Sequence, residues 1–165
     1  MNNLEVERKF LVKGEFKSLA FNCTHIEQGY IAHAGGRTVR VRIRDDKGYL
    51  TIKGPSGNEG LSRYEFEKEI TLVEAQELMK ICLPGTVVKD RYLVKSGKHT
   101  VEIDEFGGEN QGLVMAEIEL EYDDEPYLRP DFLGKEVTGI RRYYNSHLIN
   151  YPYRLWSEEE RQGNP

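Results

Sequence analysis

Apolar and polar residues alternate with a period of two along most of this chain, which predicts strands whose successive side chains point to opposite faces. LEVERKFLV (4–12) sets Glu5, Glu7 and Lys9 against Val6, Arg8 and Phe10. RTVRVRIRD (37–45) sets Arg40, Arg42 and Arg44 against Val39, Val41 and Ile43. GYLTIKG (48–54) follows with Tyr49, Thr51 and Lys53 against Leu50 and Ile52, and Asp45 to Gly48 between the two runs is a hairpin turn signal. The alternation returns in RYEFEKEI (63–70), VVKDRYLV (87–94), HTVEIDEF (99–106) and AEIELE (116–121), and more weakly in HIEQGYIA (25–32). Together these predict about eight strands.

Helical signals are fewer. TLVEAQELMKI (71–81) opens on Thr71 with Glu74 three residues on, a capping box, and stops before Pro84-Gly85. GEFKSLA (14–20) predicts a short helical turn, RPDFLGKEV (129–137) and RRYYNSHL (141–148) predict short helices, and SEEERQGNP (157–165) reads as a frayed end. The expected class is α+β, dominated by an eight-stranded antiparallel sheet that closes into a barrel and so removes its edges. Length and pattern predict a single domain over residues 1–155 with a flexible tail over 156–165.

Charge changes this picture. Charged residues make up 31% of the chain and carry a net −5, which excludes a general nucleic-acid binder but leaves room for a local basic site. The charges are also segregated by strand, Arg-x-Arg-x-Arg in one and Glu-x-Glu-x-Glu in another, where a solvated face favours mixed neighbours of opposite sign. Like charges held two residues apart repel, and more so inside a shielded cavity. A lining of paired carboxylates on some strands and paired cations on others suits a polyanion carrying a divalent metal. Hard cations take carboxylate oxygens, and Arg and Lys take phosphate oxygens. If those faces point inward, the barrel is polar inside and apolar outside, and its exterior needs cover from helices or a second subunit.

Cys23 and Cys82 lie far apart and have no metal-ligand spacing, so they read as two thiols in a reducing compartment. Glu5 and Glu7 stand where a signal peptide needs an apolar run, and no apolar stretch is long enough to span a bilayer, so a soluble, cytoplasmic protein is expected. His25, His33, His99 and His147 show no paired spacing and read as packing or surface residues.

The Glu-x-Glu-x-Lys of LEVERKFLV resembles the signature of the CYTH superfamily, the triphosphate tunnel metalloenzymes. The likeness continues in order through TVRVRIR, LTIKG, FEKEI, KDRY, VEIDEF, AEIELE and LGKEVTGIRRYYNSHL. The resemblance implies a tunnel barrel with a charged lumen, a divalent Mg²⁺ or Mn²⁺ ion and a triphosphate substrate. It implies metal ligands at Glu5, Glu7, Glu117 and Glu119 with Asp104 close by, and phosphate contacts from Lys9, Arg40, Arg42, Lys53, Lys89 and Arg91. Glu65 and Glu67 would belong to the same lining. Tyr30 corresponds to a tyrosine suggested as a proton acceptor, although a phenol is a poor base unless nearby cations lower its pKa. A further phosphate contact from the C-terminal segment falls to Lys135, Arg141 or Arg142.

The short form with its LGKEVTGIRRYYN ending resembles the bacterial and plant members that hydrolyse inorganic tripolyphosphate. Glu5, Glu7, Lys9 and Tyr30 are then the expected catalytic residues, with no nucleic acid or membrane partner and with a homodimer as an open option. The alternatives are an organic triphosphatase, acting on thiamine triphosphate or a nucleotide, a class IV adenylate cyclase, in which Tyr49 would stack on a base, and a polyphosphate-binding module without turnover.

Overall fold

The computed structural model describes residues 4–165, so the first three residues of the expected domain lie outside the described residues. Nine strands form one sheet: β1 (Leu4–Val12), β2 (Asn22–Ala34), β3 (Arg37–Arg44), β4 (Lys47–Gly57), β5 (Ser62–Ile70), β6 (Val87–Ser96), β7 (His99–Phe106), β8 (Val114–Leu120) and β9 (Leu133–Glu136). Their order is β5-β4-β3-β2-β6-β7-β8-β1-β9, and a β5–β1 pairing closes the first eight into an antiparallel barrel. All eight predicted strands are present.

The barrel closes because β1 divides one of its edges between two partners. Leu4, Glu5 and Val6 pair with Tyr64, Arg63 and Ser62 of β5, whereas Phe10 and Val12 pair with Glu136 and Leu133 of β9. Between them the Glu7 N–H donates to the Leu61 carbonyl at 3.1 Å and the Lys9 N–H to Thr138 Oγ1 at 2.9 Å. RPDFLGKEV is therefore a strand where a helix was expected. The second half of β1 leaves β5 and its backbone groups need a partner. Gly134 permits the approach, since a Cβ there would stand 3.2 Å from the Leu11 carbonyl oxygen.

Of the helices, α1 (Leu72–Met79) carries the predicted capping box: Thr71 Oγ1 accepts from the Glu74 N–H at 3.0 Å and Glu74 accepts from the Thr71 N–H at 2.9 Å. It lies on the outside of the barrel with Ala75 buried over Gly48, where a Cβ would meet Ala75 Cβ at 2.5 Å. GEFKSLA forms a 3₁₀ turn at Lys17–Leu19. RRYYNSHL forms a 3₁₀ turn at Arg141–Tyr143 followed by the one-turn helix α2 (Asn145–Leu148).

Apolar residues on the outer faces of β1, β7 and β8, including Val6, Phe10, Ile103 and Ile118, pack under Phe16, Phe132 and Leu133. A second cluster fills one end of the lumen, where the inward positions turn apolar: Val87, Phe106 and Met115 meet Tyr143, Leu148 and Trp156. The end of the chain is consequently not a free tail. Trp156 is 4% exposed, with its ring 5.0 Å from that of Tyr143, and Ser157 caps the last helix, α3 (Glu158–Arg161). Arg142 reaches back to the carbonyls of Glu160 and Asn164. The sequence signal of a charged, glycine-containing end was outweighed by one buried indole. Among the described residues no helix is long and apolar enough to cross a membrane.

Candidate active site

The inward positions of the barrel strands converge on a cavity of about 210 Å³. All the predicted site residues outside the C-terminal segment line it except Asp104. The charged faces thus turn into the barrel, with Lys9, Arg40, Arg42 and Lys89 buried and Glu67 and Glu119 still exposed to solvent.

One wall is acidic. Glu5 and Glu7 come from β1, Glu117 and Glu119 from β8, and Glu102 from β7. Register places like against like, with Glu7 opposite Glu119 and Glu102 opposite Glu117. Burial raises the Glu7 pKa well above the usual carboxylate range, and the Glu117 and Glu5 charges push it the same way. Burial would raise Glu117 too, but Lys9, a hydrogen bond with Glu7 and Arg91 together bring it down to about 2. Burial and mutual repulsion thus push Glu7 up, while nearby cations hold Glu117 down, so the two carboxylates are driven apart in acidity. Burial, then Glu5 and Glu102, likewise raise Glu119. At the edge of this wall Lys53 Nζ donates to Glu5 at 2.9 Å and lies 3.3 Å from Glu65. Burial and a hydrogen bond to Glu5 push Glu65 up to about 7.

The facing wall is cationic, formed by Arg40 and Arg42 of β3 and Lys89 and Arg91 of β6, while Lys9 adds a cation on β1 beside the acidic wall, opposite Glu117. Arg40 donates to Thr51 Oγ1 at 3.1 Å, which donates on to Glu67 at 3.1 Å. Lys9 Nζ donates to the Tyr143 carbonyl at 3.1 Å and stands 3.8 Å from Glu117. Asp104, 2% exposed, lies behind this wall. Arg91 Nε and Nη2 reach its two oxygens at 2.8 and 2.9 Å, and Lys89 Nζ reaches it at 2.8 Å. Burial would raise its pKa, but Arg91 and Lys89 hold it far below the usual carboxylate range. Both oxygens face cations, an arrangement that positions Lys89 and Arg91.

A buried network ties these cations together. Gln28, with no exposed surface, accepts from Arg42 Nε at 3.2 Å and donates to the Tyr30 hydroxyl and to Asn145 Oδ1, each at 3.1 Å. Lys89 Nζ donates to the same Asn145 oxygen at 2.9 Å. Tyr30 lines the cavity with its hydroxyl oxygen already accepting from Gln28.

The three C-terminal candidates stay out of the lumen. Lys135 bonds Asn164, Arg142 packs its guanidinium over Trp156, and Arg141 lines a neighbouring cavity. Residues that sequence reasoning did not place in the site also line the lumen: Arg44, Arg63, Glu102, Tyr144 and Asn145. The first three follow the strand parity and were legible from it. Tyr144 and Asn145 come from the segment around α2, and no local pattern foretold where that segment folds. The ring of Tyr49, the candidate for stacking on a base, is covered by Arg44, whose guanidinium carbon lies 4.8 Å from its centroid and whose Nη2 bonds its hydroxyl at 2.7 Å.

The acidic wall offers oxygen donors only, the chemistry of a hard divalent cation. Among the described residues no three His, Cys, Asp or Glu side chains converge to metal-holding distance. These oxygen donors would suit a divalent cation that keeps much of its own water, which is the habit of Mg²⁺.

A CYTH domain matches residues 3–144. The chain is 46% identical over 156 residues to an inorganic triphosphatase of Acetivibrio thermocellus, covering 93% of this chain and 98% of that one. It is 31% identical over 151 residues to an inorganic triphosphatase of Nitrosomonas europaea, covering 87% and 95%. Among solved structures, the inorganic triphosphatase NE1496 superposes with a TM-score of 0.63 at 26% identity, over 93% of this chain and 95% of that one. A putative adenylyl cyclase from Hippeastrum shares the fold, with a TM-score of 0.61 at 16% identity over 72% of this chain and 80% of that one. The closed barrel with its two opposed charged walls, and a match over most of its length, make this chain a member of the CYTH domain family.

Proposed function

We propose that this chain hydrolyses the terminal phosphoanhydride of inorganic tripolyphosphate, giving pyrophosphate and phosphate, with Mg²⁺ or Mn²⁺ as cofactor. The observation that carries this reading is the division of one lumen into an acidic and a cationic wall, supported by the relatives that bear the name inorganic triphosphatase. A divalent cation drawn to the acidic wall, where Glu5, Glu7, Glu117 and Glu119 are the candidate ligands, would neutralise charge on the phosphate oxygens and lower the pKa of bound water. The chain's own residues do the rest. Lys9, Arg40, Arg42, Lys89 and Arg91 hold the phosphate oxygens from rigid strands and stabilise charge as the P–O bond breaks. Asp104, Gln28 and Asn145 keep those cations oriented. A water held by a carboxylate of the acidic wall attacks the terminal phosphorus in line, its proton passes to that carboxylate, and pyrophosphate leaves. The reaction needs no protein nucleophile.

A nucleotide substrate or a cyclase reaction is disfavoured because Tyr49, the residue available to a base, is taken by Arg44. Two free cysteines, Cys23 exposed and Cys82 half-buried, suit a reducing cytoplasm. The test is phosphate release from tripolyphosphate, ATP and thiamine triphosphate with Mg²⁺, Mn²⁺ or excess chelator. Tripolyphosphate should turn over fastest and only with metal. Tight tripolyphosphate binding with no turnover of any substrate would make this a binding module.

A further inference from the structure

A second cavity, of about 520 Å³, adjoins the lumen and shares Thr38, Arg63, Tyr144 and Ser146 with it as a common wall. It forms where the turn between β2 and β3 comes up against β4 and the start of α2. Gly36 turns there with φ +76°, and a Cβ on it would stand 3.3 Å from the Pro55 Cα. The chemistry of this cavity differs from that of the lumen. It is lined by Arg63, Arg141, His33 and His147, and among the described residues that line it none is Asp or Glu. The His33 and His147 rings meet edge to face at 4.9 Å. His147 Nδ1 and Arg63 Nε are buried with no hydrogen-bond partner among the described residues. Burial lowers the His147 pKa, and His33, Arg141, Arg63 and Lys9 lower it further, which marks the cavity as electropositive. Tyr144 stands as the partition. Lys9 Nζ lies 5.2 Å and Arg63 Cζ 5.6 Å from its ring, and its hydroxyl bonds Ser56 Oγ at 3.1 Å.

Two arginines and two histidines with no carboxylate among them suit an anion that arrives without a metal. We propose that this vestibule is a phosphoryl-anion subsite, holding one tetrahedral phosphate oxyanion on Arg141, Arg63 and the His33–His147 pair. It rests on the reading of the lumen as a triphosphate site, beside which two sources share this chemistry: the phosphate released by hydrolysis, and the fourth unit of a longer phosphate chain.

The test is a titration of inorganic phosphate into the metal-free protein, followed by the ring ¹H–¹³C resonances of its four histidines. His33 and His147 should shift together and saturate while His25 and His99 stay in place. Arg141→Gln should weaken phosphate binding about tenfold, the loss of one charge-assisted contact, and His33→Asn provides a second variant should the first fail to fold. Steady-state kinetics separate the sources. A larger KM rise for tetrapolyphosphate than for tripolyphosphate in Arg141→Gln assigns the fourth unit, and a weakened inhibition by phosphate assigns the product. Absence of a saturable shift at His33 and His147, or shifts unaltered in both variants, would overturn the proposal. The titration needs no turnover, so it reads the subsite even if the wild type hydrolyses no triphosphate.

Discussion

Replacing Asp104 by Asn keeps the shape of the side chain and removes its charge. In the folded protein that charge faces Arg91 through two hydrogen bonds of 2.8 and 2.9 Å and Lys89 through one of 2.8 Å, with Asp104 2% and Lys89 2% exposed. Removing one partner of such a buried ion pair costs about 3–5 kcal/mol, because the remaining cations lose their compensation without regaining water. For a chain of this size that lowers Tm by roughly 6–20 °C. Urea unfolding of the metal-free protein, followed by the fluorescence of its single tryptophan, measures the loss directly. A tripolyphosphate ligand supplies negative charge to the same two cations, so it should raise Tm more in the variant than in the wild type. The competing role for Asp104, metal ligand, predicts the opposite sign without metal. Asp104 and Glu117 repel each other, and neutralising a ligand carboxylate relieves that repulsion. A loss below about 1 kcal/mol, or a gain in stability, would refute the positioning role.

Other outcomes follow from single residues. Gln28→Leu leaves Arg42 Nε and the Tyr30 hydroxyl without their buried partner, at about 1–3 kcal/mol. The KM for tripolyphosphate should rise more than kcat falls, as steady-state kinetics would show. Trp156→Ala should cost about 3–5 kcal/mol in urea unfolding, whereas a free tail would cost nothing. Glu125 accepts hydrogen bonds from Lys98 Nζ at 2.8 Å and His99 Nε2 at 2.7 Å, and these, with the backbone N–H of Glu121, bring its pKa down to about 2. A depressed folded pKa means that its stabilisation is full above the ordinary carboxylate range and fades as pH falls towards about 2. The Tm difference between wild type and Glu125→Gln should therefore be largest near neutral pH and vanish at the acid end.

Strand parity made most of the barrel and its lining legible before any coordinates. The period-two pattern of LEVERKFLV alone fixes that Glu5, Glu7 and Lys9 face one way and Val6 and Phe10 the other, and the structure places the first three in the lumen and the last two in the outer core. Asp104 obeys the same parity, yet its partners could not be read. Its distance from Arg91 depends on the β6–β7 register, which local pattern leaves open. The segments after β8 were the least legible. Leu133–Glu136 became a strand because β1 had a vacant edge, and Asn145 joined the cation network because the apolar contacts of Tyr143, Leu148 and Trp156 pull that segment over the end of the barrel. Those are contacts between residues far apart in the chain, and no window of local sequence contains them.

Hydrolysis on the acidic wall of the lumen is put at risk by one variant, Glu7→Gln, assayed for phosphate release from tripolyphosphate with saturating Mg²⁺ or Mn²⁺. Gln keeps the size of Glu7 and removes its carboxylate from beside Glu117. Turnover should fall by about a hundredfold or more with tripolyphosphate binding retained, since the proposed phosphate contacts come from the cations and not from Glu7. Turnover within a few-fold of the wild type would place the chemistry away from the acidic wall.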